Sequence, residues 1–159
     1  MVQTYRLFAD YFQFYLQDEA ADGNLGEAWT DQAVADLLAL APGTIGVGTV
    51  RNMEVAVKLE IASAPPVLDL DDWDHAVECD IEVPTGRLVI AGCTDYFPDA
   101  ARINVQPGNY RVRIRYGGFD TLSEDGLDGE DHYDLVLWKA APAGPQVLKR
   151  HAPFPKRAV

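Results

Sequence analysis

At 159 residues, 48% of them apolar, the chain can bury one hydrophobic core, which excludes intrinsic disorder and leaves no room for a second domain of ordinary size. Its net charge of −12 argues against nucleic acid as a direct partner and for a basic one. The opening residues "MVQTYRLFADYFQ" lack the unbroken apolar run of a signal peptide, and no stretch is apolar for long enough to span a bilayer. The expected setting is therefore the cytoplasm, without membrane contact.

The first predicted element is the aromatic-rich run "DYFQFYLQD" (10–18), which reads as a strand. The segment "TDQAVADLLALAPG" (30–43) predicts one short helix. Thr30 can cap it, Asp31 falls in its first turn, Val34, Leu37 and Leu38 share a face, and Pro42-Gly43 stops it. Strict alternation follows over 53–61, where Met53, Val55, Val57, Leu59 and Ile61 interleave with Glu54, Ala56, Lys58 and Glu60. In "HAVECDIEV" (75–83), Val77, Cys79, Ile81 and Val83 alternate with Glu78, Asp80 and Glu82. Pro84-Thr85-Gly86 reads as a hairpin loop leading into a strand at 87–93. Pro107-Gly108 suits the centre of a type II turn. In "NYRVRIRYG" (109–117), Tyr110, Val112, Ile114 and Tyr116 alternate with Arg111, Arg113 and Arg115, and Gly117-Gly118 ends the run. "DHYDLVLW" (131–138) is a further strand; paired with 109–117, it puts Asp134 on the arginine face.

This pattern predicts an all-β fold, a two-layer antiparallel β-sandwich of about eight strands with one short α-helix, filling a single domain over 1–148. Residues 149–159, basic and proline-containing, read as a C-terminal tail. Cys79 and Cys93 are too few for a disulfide framework. Two buried thiols are expected; a bridge across the 76–83/87–93 hairpin is the alternative.

The excess charge is local. Asp69, Asp71, Asp72, Asp74, Glu78, Asp80 and Glu82 occupy 69–82, and Asp120, Glu124, Asp125, Asp128, Glu130, Asp131 and Asp134 occupy 120–134, with no lysine or arginine in either stretch. No nucleophile elbow, P-loop, dinucleotide fingerprint or zinc-binding histidine pair occurs, so no enzyme, cofactor or metal is predicted. The 120–134 run lacks EF-hand spacing, which leaves a binding surface, a solvated loop or a looser calcium site as its readings. Trp73, set among aspartates, reads either as an interface anchor or as a cover for the core.

The pieces "YFQFYLQD", "WTDQAV", "GTIGVGTVRN", "VECDIEVP", "ARINVQPGNYRVRI" and "DHYDLVLW" run in order over about residues 10–138. Together they resemble the competence protein J family, intracellular inhibitors of a competence-associated DNA nuclease. The acidic stretch at 118–131 and the basic tail depart from that family's pattern. The resemblance implies a non-enzymatic binding protein whose target is a nuclease. To this the residues add a mechanism. Glu78, Asp80 and Glu82 would recur about every 6.6–6.8 Å along one strand face, close to the spacing of phosphates on a nucleic-acid strand. Such a row could fill the basic cleft of a nuclease. The predicted partner-binding residues are Asp71, Asp72, Trp73, Asp74, Glu78, Asp80, Glu82, Glu124, Asp125, Asp128, Glu130 and Asp131, facing a basic protein partner such as a nuclease. The competing expectation is a calcium- or ligand-binding β-sandwich module that uses the 120–134 loop.

Overall fold

The alternation over 53–61 forms a strand whose Val55, Val57 and Leu59 are buried while Glu54 and Lys58 face out, and the same logic builds most of the fold. The computed structural model describes residues 1–152. In chain order the elements are β1 (Val2–Phe8), β2 (Gln13–Asp18), α1 (Asp31–Asp36), β3 (Leu38–Ala41), β4 (Thr44–Gly48), β5 (Glu54–Ile61), β6 (His75–Val83), β7 (Arg87–Gly92), β8 (Ala101–Asn104), β9 (Gly108–Gly117), β10 (His132–Lys139) and β11 (Gln146–Lys149). Short 3-10 turns occupy Asp10–Phe12, Phe97–Asp99 and Phe119–Thr121.

One sheet has the order β1-β5-β10-β9-β6-β11 and the other β3-β4-β2-β7-β8. Neighbours are antiparallel except β5 and β10, which run parallel. The inner faces share one core: Phe14, Leu16, Ile45, Leu88 and Ile90 from one sheet meet Val57, Val77, Val112, Ile114, Tyr133 and Leu135 from the other. Each such aliphatic side chain contributes about 1.5–3 kcal/mol on burial. No helix among the described residues is long and apolar enough to cross a membrane.

The all-β sandwich stands, with more strands than the eight expected. β3, β8 and β11 have four residues each, too few for alternation to register. Several local expectations are corrected. Pro84-Thr85-Gly86 is not a hairpin loop, because β6 and β7 lie in different sheets and the segment turns a corner between them. At Pro107-Gly108 the expected bend is present, with Gly108 at positive φ (145°), and it leads from β8 in one sheet to β9 in the other. Helix α1 stops early: Leu37 takes a left-handed conformation (φ 57°), so Pro42-Gly43 turns β3 into β4 instead. Residues 10–12 precede β2 rather than belonging to it. Cys79 and Cys93 are both free; Cys79 is fully buried, and burial pushes its thiol up to about 12. Lys149 closes β11, Arg150 pairs with Asp36 at 2.6 Å, and the His151 N–H donates to His75 Nδ1 at 3.2 Å. The first residues of the expected tail thus pack on the fold, and 153–159 lie outside the described residues.

Strand registers align one end of the sandwich. Phe8 ends β1 opposite Glu54, which begins β5. Ala56 lies opposite His132 at the start of β10, His132 opposite Gly117 at the end of β9, and Tyr116 opposite His75 at the start of β6. In the second sheet, Gln13 at the start of β2 lies opposite Gly48 at the end of β4. Tyr116 Oη donates to Leu37 O at 2.6 Å and Val50 N–H to Tyr133 Oη at 2.9 Å, so the two sheets meet there. The segments 9–12, 49–53, 62–74 and 118–131 all reach this end.

Candidate functional site

Parts of the two acid-rich stretches, residues 69–74 and 118–131, converge at that end. The Asp74 N–H donates to Tyr116 O at 2.8 Å, and Asp74 Oδ2 accepts the Phe119 N–H at 2.9 Å. The half-buried Trp73 packs edge-on to His132, with ring centroids 5.3 Å apart, and lies under the Arg115 guanidinium at 4.6 Å. Trp73 therefore covers the open face of β9 and β10, and the flanking Asp71 and Asp72 point to solvent. Gly118 (φ 75°) begins the 118–131 segment; a Cβ there would sit 2.5 Å from Glu130 O, so only glycine lets the two ends of the loop close.

The acidic loop is held by its own bonds. Asp125 Oδ1 accepts from Ser123 Oγ at 2.6 Å and from the Leu127 N–H at 3.0 Å, and these bonds hold its carboxyl below the usual aspartate range. The Ser123 N–H donates to Asp128 O at 2.8 Å and the Glu130 N–H to Thr121 Oγ1 at 2.7 Å. Glu124, Asp125, Asp128 and Glu130 are exposed. Among the described residues, Asp69, Asp71, Asp72, Asp74, Asp120, Glu124, Asp125, Asp128 and Glu130 have no ion pair. Nor, among the described residues, do three or more His, Cys, Asp or Glu side chains converge as a metal ion requires.

Asp131 differs from its neighbours. It is 1% exposed and forms a buried ion pair with Arg51, while Tyr133 Oη donates to its Oδ2 at 2.6 Å. Arg51 also donates to Leu127 O and Glu54 O, each at 3.2 Å, fastening the acidic loop to the start of β5. Asp131 is thus part of the loop's anchor rather than of its exposed surface. The "RN" at 51–52 is its sequence counterpart, although nothing in the sequence identified the acid it would meet.

The row on β6 is also altered. Glu78 accepts from Arg111 Nε at 3.0 Å and Arg113 Nε at 2.9 Å, and Asp80 accepts from Arg111 Nη1 at 2.9 Å. Burial raises the Asp80 pKa, but the Gly144 N–H, the Arg111 guanidinium and the Ala143 N–H together outweigh it and hold the carboxyl low. These acids neutralise the arginine face of β9, so no continuous row of free carboxylates exists. Only Glu82 in that row is exposed, and it lies at the far end of β6 from His75, roughly 23 Å away at 3.3 Å per residue. The matching period-two alternation of acids on one strand and arginines on another was the readable signal. As expected, Asp134 meets Arg115, at 3.2 Å.

A further feature of this end is absent from the sequence reading. Tyr11 and Phe12, consecutive and non-glycine, both take left-handed backbone angles (φ 57° and 60°). That conformation costs each of them of the order of 1 kcal/mol. The Phe12 N–H to Ala9 O bond at 3.0 Å and the Thr49 N–H to Phe12 O bond at 2.9 Å hold it. Phe8, Tyr11 and Phe12 are exposed by 44, 69 and 42%. An aromatic run ahead of a strand carries no signal for such a corner.

No family model and no curated protein sequence matches the chain. Among solved structures it is similar to ComJ, inhibitor of the DNA degrading activity of NucA, from Bacillus subtilis, with a TM-score of 0.69 and 17% identity over 88% of this chain and 99% of that one. It is also similar to the chain described as crocagin biosynthetic gene J, with a TM-score of 0.58 and 20% identity over 87% of this chain and 96% of that one. The chain thus has a ComJ-like fold, and at these identities the likeness is one of fold.

Proposed function

We propose that this chain is a non-enzymatic, stoichiometric inhibitor of a DNA-degrading nuclease, an immunity-type partner acting in the cytoplasm through its acidic end. The observation that carries this reading is the convergence of residues 69–74 and 118–130 on one end, with their carboxylates unpaired among the described residues. A nuclease cleft is basic because it must hold phosphates. Carboxylates on loops fastened by Arg51 and Gly118 present the same charge without a bond that the nuclease can cut. Asp71, Asp72, Asp74, Glu124, Asp125, Asp128 and Glu130 supply that charge, and Trp73 stiffens their platform. Asp131, Glu78 and Asp80 support the fold beneath it. The fold shared with an inhibitor of NucA supports the same class of activity.

The test is DNA degradation by NucA and by purified basic nucleases, with the chain titrated in. Inhibition should saturate at a fixed molar ratio and weaken as salt rises, because steering between opposite charges is screened. Failure to inhibit any nuclease at low salt would sink the proposal.

A further inference from the structure

We infer that Tyr11 and Phe12 are the apolar anchor by which this end of the sandwich docks a basic protein partner. The inference rests on the reading of the acidic end as a binding surface and adds the contact that holds the complex together. Where a chain only needs to turn a corner, glycine or asparagine adopts left-handed angles with little strain. Here two consecutive aromatic residues take them and stay exposed, Tyr11 by 69% and Phe12 by 42%. The corner is tied down from several directions. Besides the bonds from Phe12 and Thr49, the Ala9 N–H donates to Met53 O at 2.9 Å, Asp10 Oδ1 accepts the Tyr11 N–H at 3.1 Å, and Cys93 Sγ donates to Asp10 O at 3.2 Å. The rings are thus presented on a rigid support, and rigid aromatic side chains are the commonest interface anchors.

The occupant follows from the neighbouring charge. Phe8, just before this corner, lies opposite Glu54, whose carbonyl accepts from Arg51, and Arg51 in turn holds Leu127 of the acidic loop. The aromatic corner and the unpaired carboxylates therefore share one end. A second copy of this chain, with its own net charge of −12, would bring acid against acid. Nucleic acid and anionic membranes are repelled by the same field. A basic protein with an apolar pocket beside its cationic face complements both features.

The experiment compares the unaltered full chain with Tyr11→Gly/Phe12→Gly and Tyr11→Asn/Phe12→Asn, in binding to immobilised NucA, to purified basic nucleases and to lysozyme as a basic protein without nuclease activity. Both variants relieve left-handed strain, so their Tm should equal or exceed that of the unaltered chain while affinity for the bound protein falls about 30-fold or more, mainly through faster dissociation. Affinity unchanged in both variants overturns the anchor and leaves the inhibitor reading standing. Ring-dependent binding to lysozyme alone supports the anchor and overturns the inhibitor reading. Binding to no basic protein overturns both. Self-association, or sedimentation with phosphatidylcholine vesicles, that the variants abolish would assign the rings to a different occupant and overturn the proposal.

Discussion

Arg51 and Asp131, 80 residues apart in sequence, form a buried ion pair that fastens the acidic loop to the start of β5. Asp131→Asn leaves the Arg51 charge buried without its counter-charge, and Arg51→Met strands Asp131. Each should lower stability by about 3–5 kcal/mol, read from urea unfolding, and the double variant should lose less than the sum. Losses near those of exposed acids would show that the pair does not hold the loop.

Glu78 gives a second contrast. Glu78→Gln removes the counter-charge shared by Arg111 and Arg113, whose side chains are only 8% exposed, and should cost about 3 kcal/mol. Glu82→Gln, on the same strand but facing solvent, should change stability by less than about 0.5 kcal/mol. Equal melting temperatures for the two variants would mean that the arginine face is solvated rather than paired.

These pairs also mark how far the sequence was legible. β5, β6, β9 and β10 were readable because each places apolar side chains toward the core at every second residue, even though the arginine face of β9 is itself covered. Their faces followed too: Val112 and Ile114 inward, Arg113 outward. Turn chemistry predicted that the chain bends at Pro84-Thr85-Gly86 and Pro107-Gly108. It carries no information about which sheet the next strand joins, and both bends proved to be corners between sheets. The end of α1 was misplaced because Leu37 terminates it in a conformation that nothing in leucine's chemistry announces. Composition located the acids but not their neighbours. Glu78, Asp80 and Asp131 became structural partners of arginines, whereas Asp71, Asp72, Glu124 and Asp128 stayed exposed. The aromatic corner at 11–12 was invisible because backbone contacts from residues 49 and 53 and the Cys93 thiol impose it.

His75 makes stability depend on pH. It is fully buried, its Nε2 lies 2.7 Å from Asp36 O, and its Nδ1 accepts the His151 N–H, so the neutral ring has no place for a second proton. Burial, which outweighs the opposing effect of the Asp36 carbonyl, and the nearby His151 and Arg150 charges lower its pKa to about 4. The unfolded value is about 6.5, so the unfolded chain binds the extra proton first. The contribution is complete above about pH 6.5 and is lost as pH falls toward about 4, a change of order 3 kcal/mol. His75→Gln should flatten unfolding free energy over that window. An unchanged slope would assign the acid sensitivity to the carboxylates instead.

The acidic end should itself be destabilising at low salt. Asp71, Asp72, Glu124 and Asp128 are exposed, and none has an ion pair among the described residues. Repulsion among such charges is long-ranged in dilute buffer and screened beyond about 8 Å at physiological ionic strength. Asp71→Asn/Asp72→Asn and Glu124→Gln/Asp128→Asn should therefore each raise stability by a few tenths of a kcal/mol at low salt, with the gain fading as salt is added. Asp125→Ala should behave oppositely, because its carboxylate accepts from Ser123 Oγ and the Leu127 N–H and so shapes the loop. Its loss should persist at high salt, where a purely electrostatic effect would vanish. Stability of the unaltered chain measured across salt concentrations checks the premise directly. A chain that melts at the same temperature at low and high salt, with all three variants alike, would show that these carboxylates exert no strain on the fold and that no charge is stored at this end for a basic partner to neutralise.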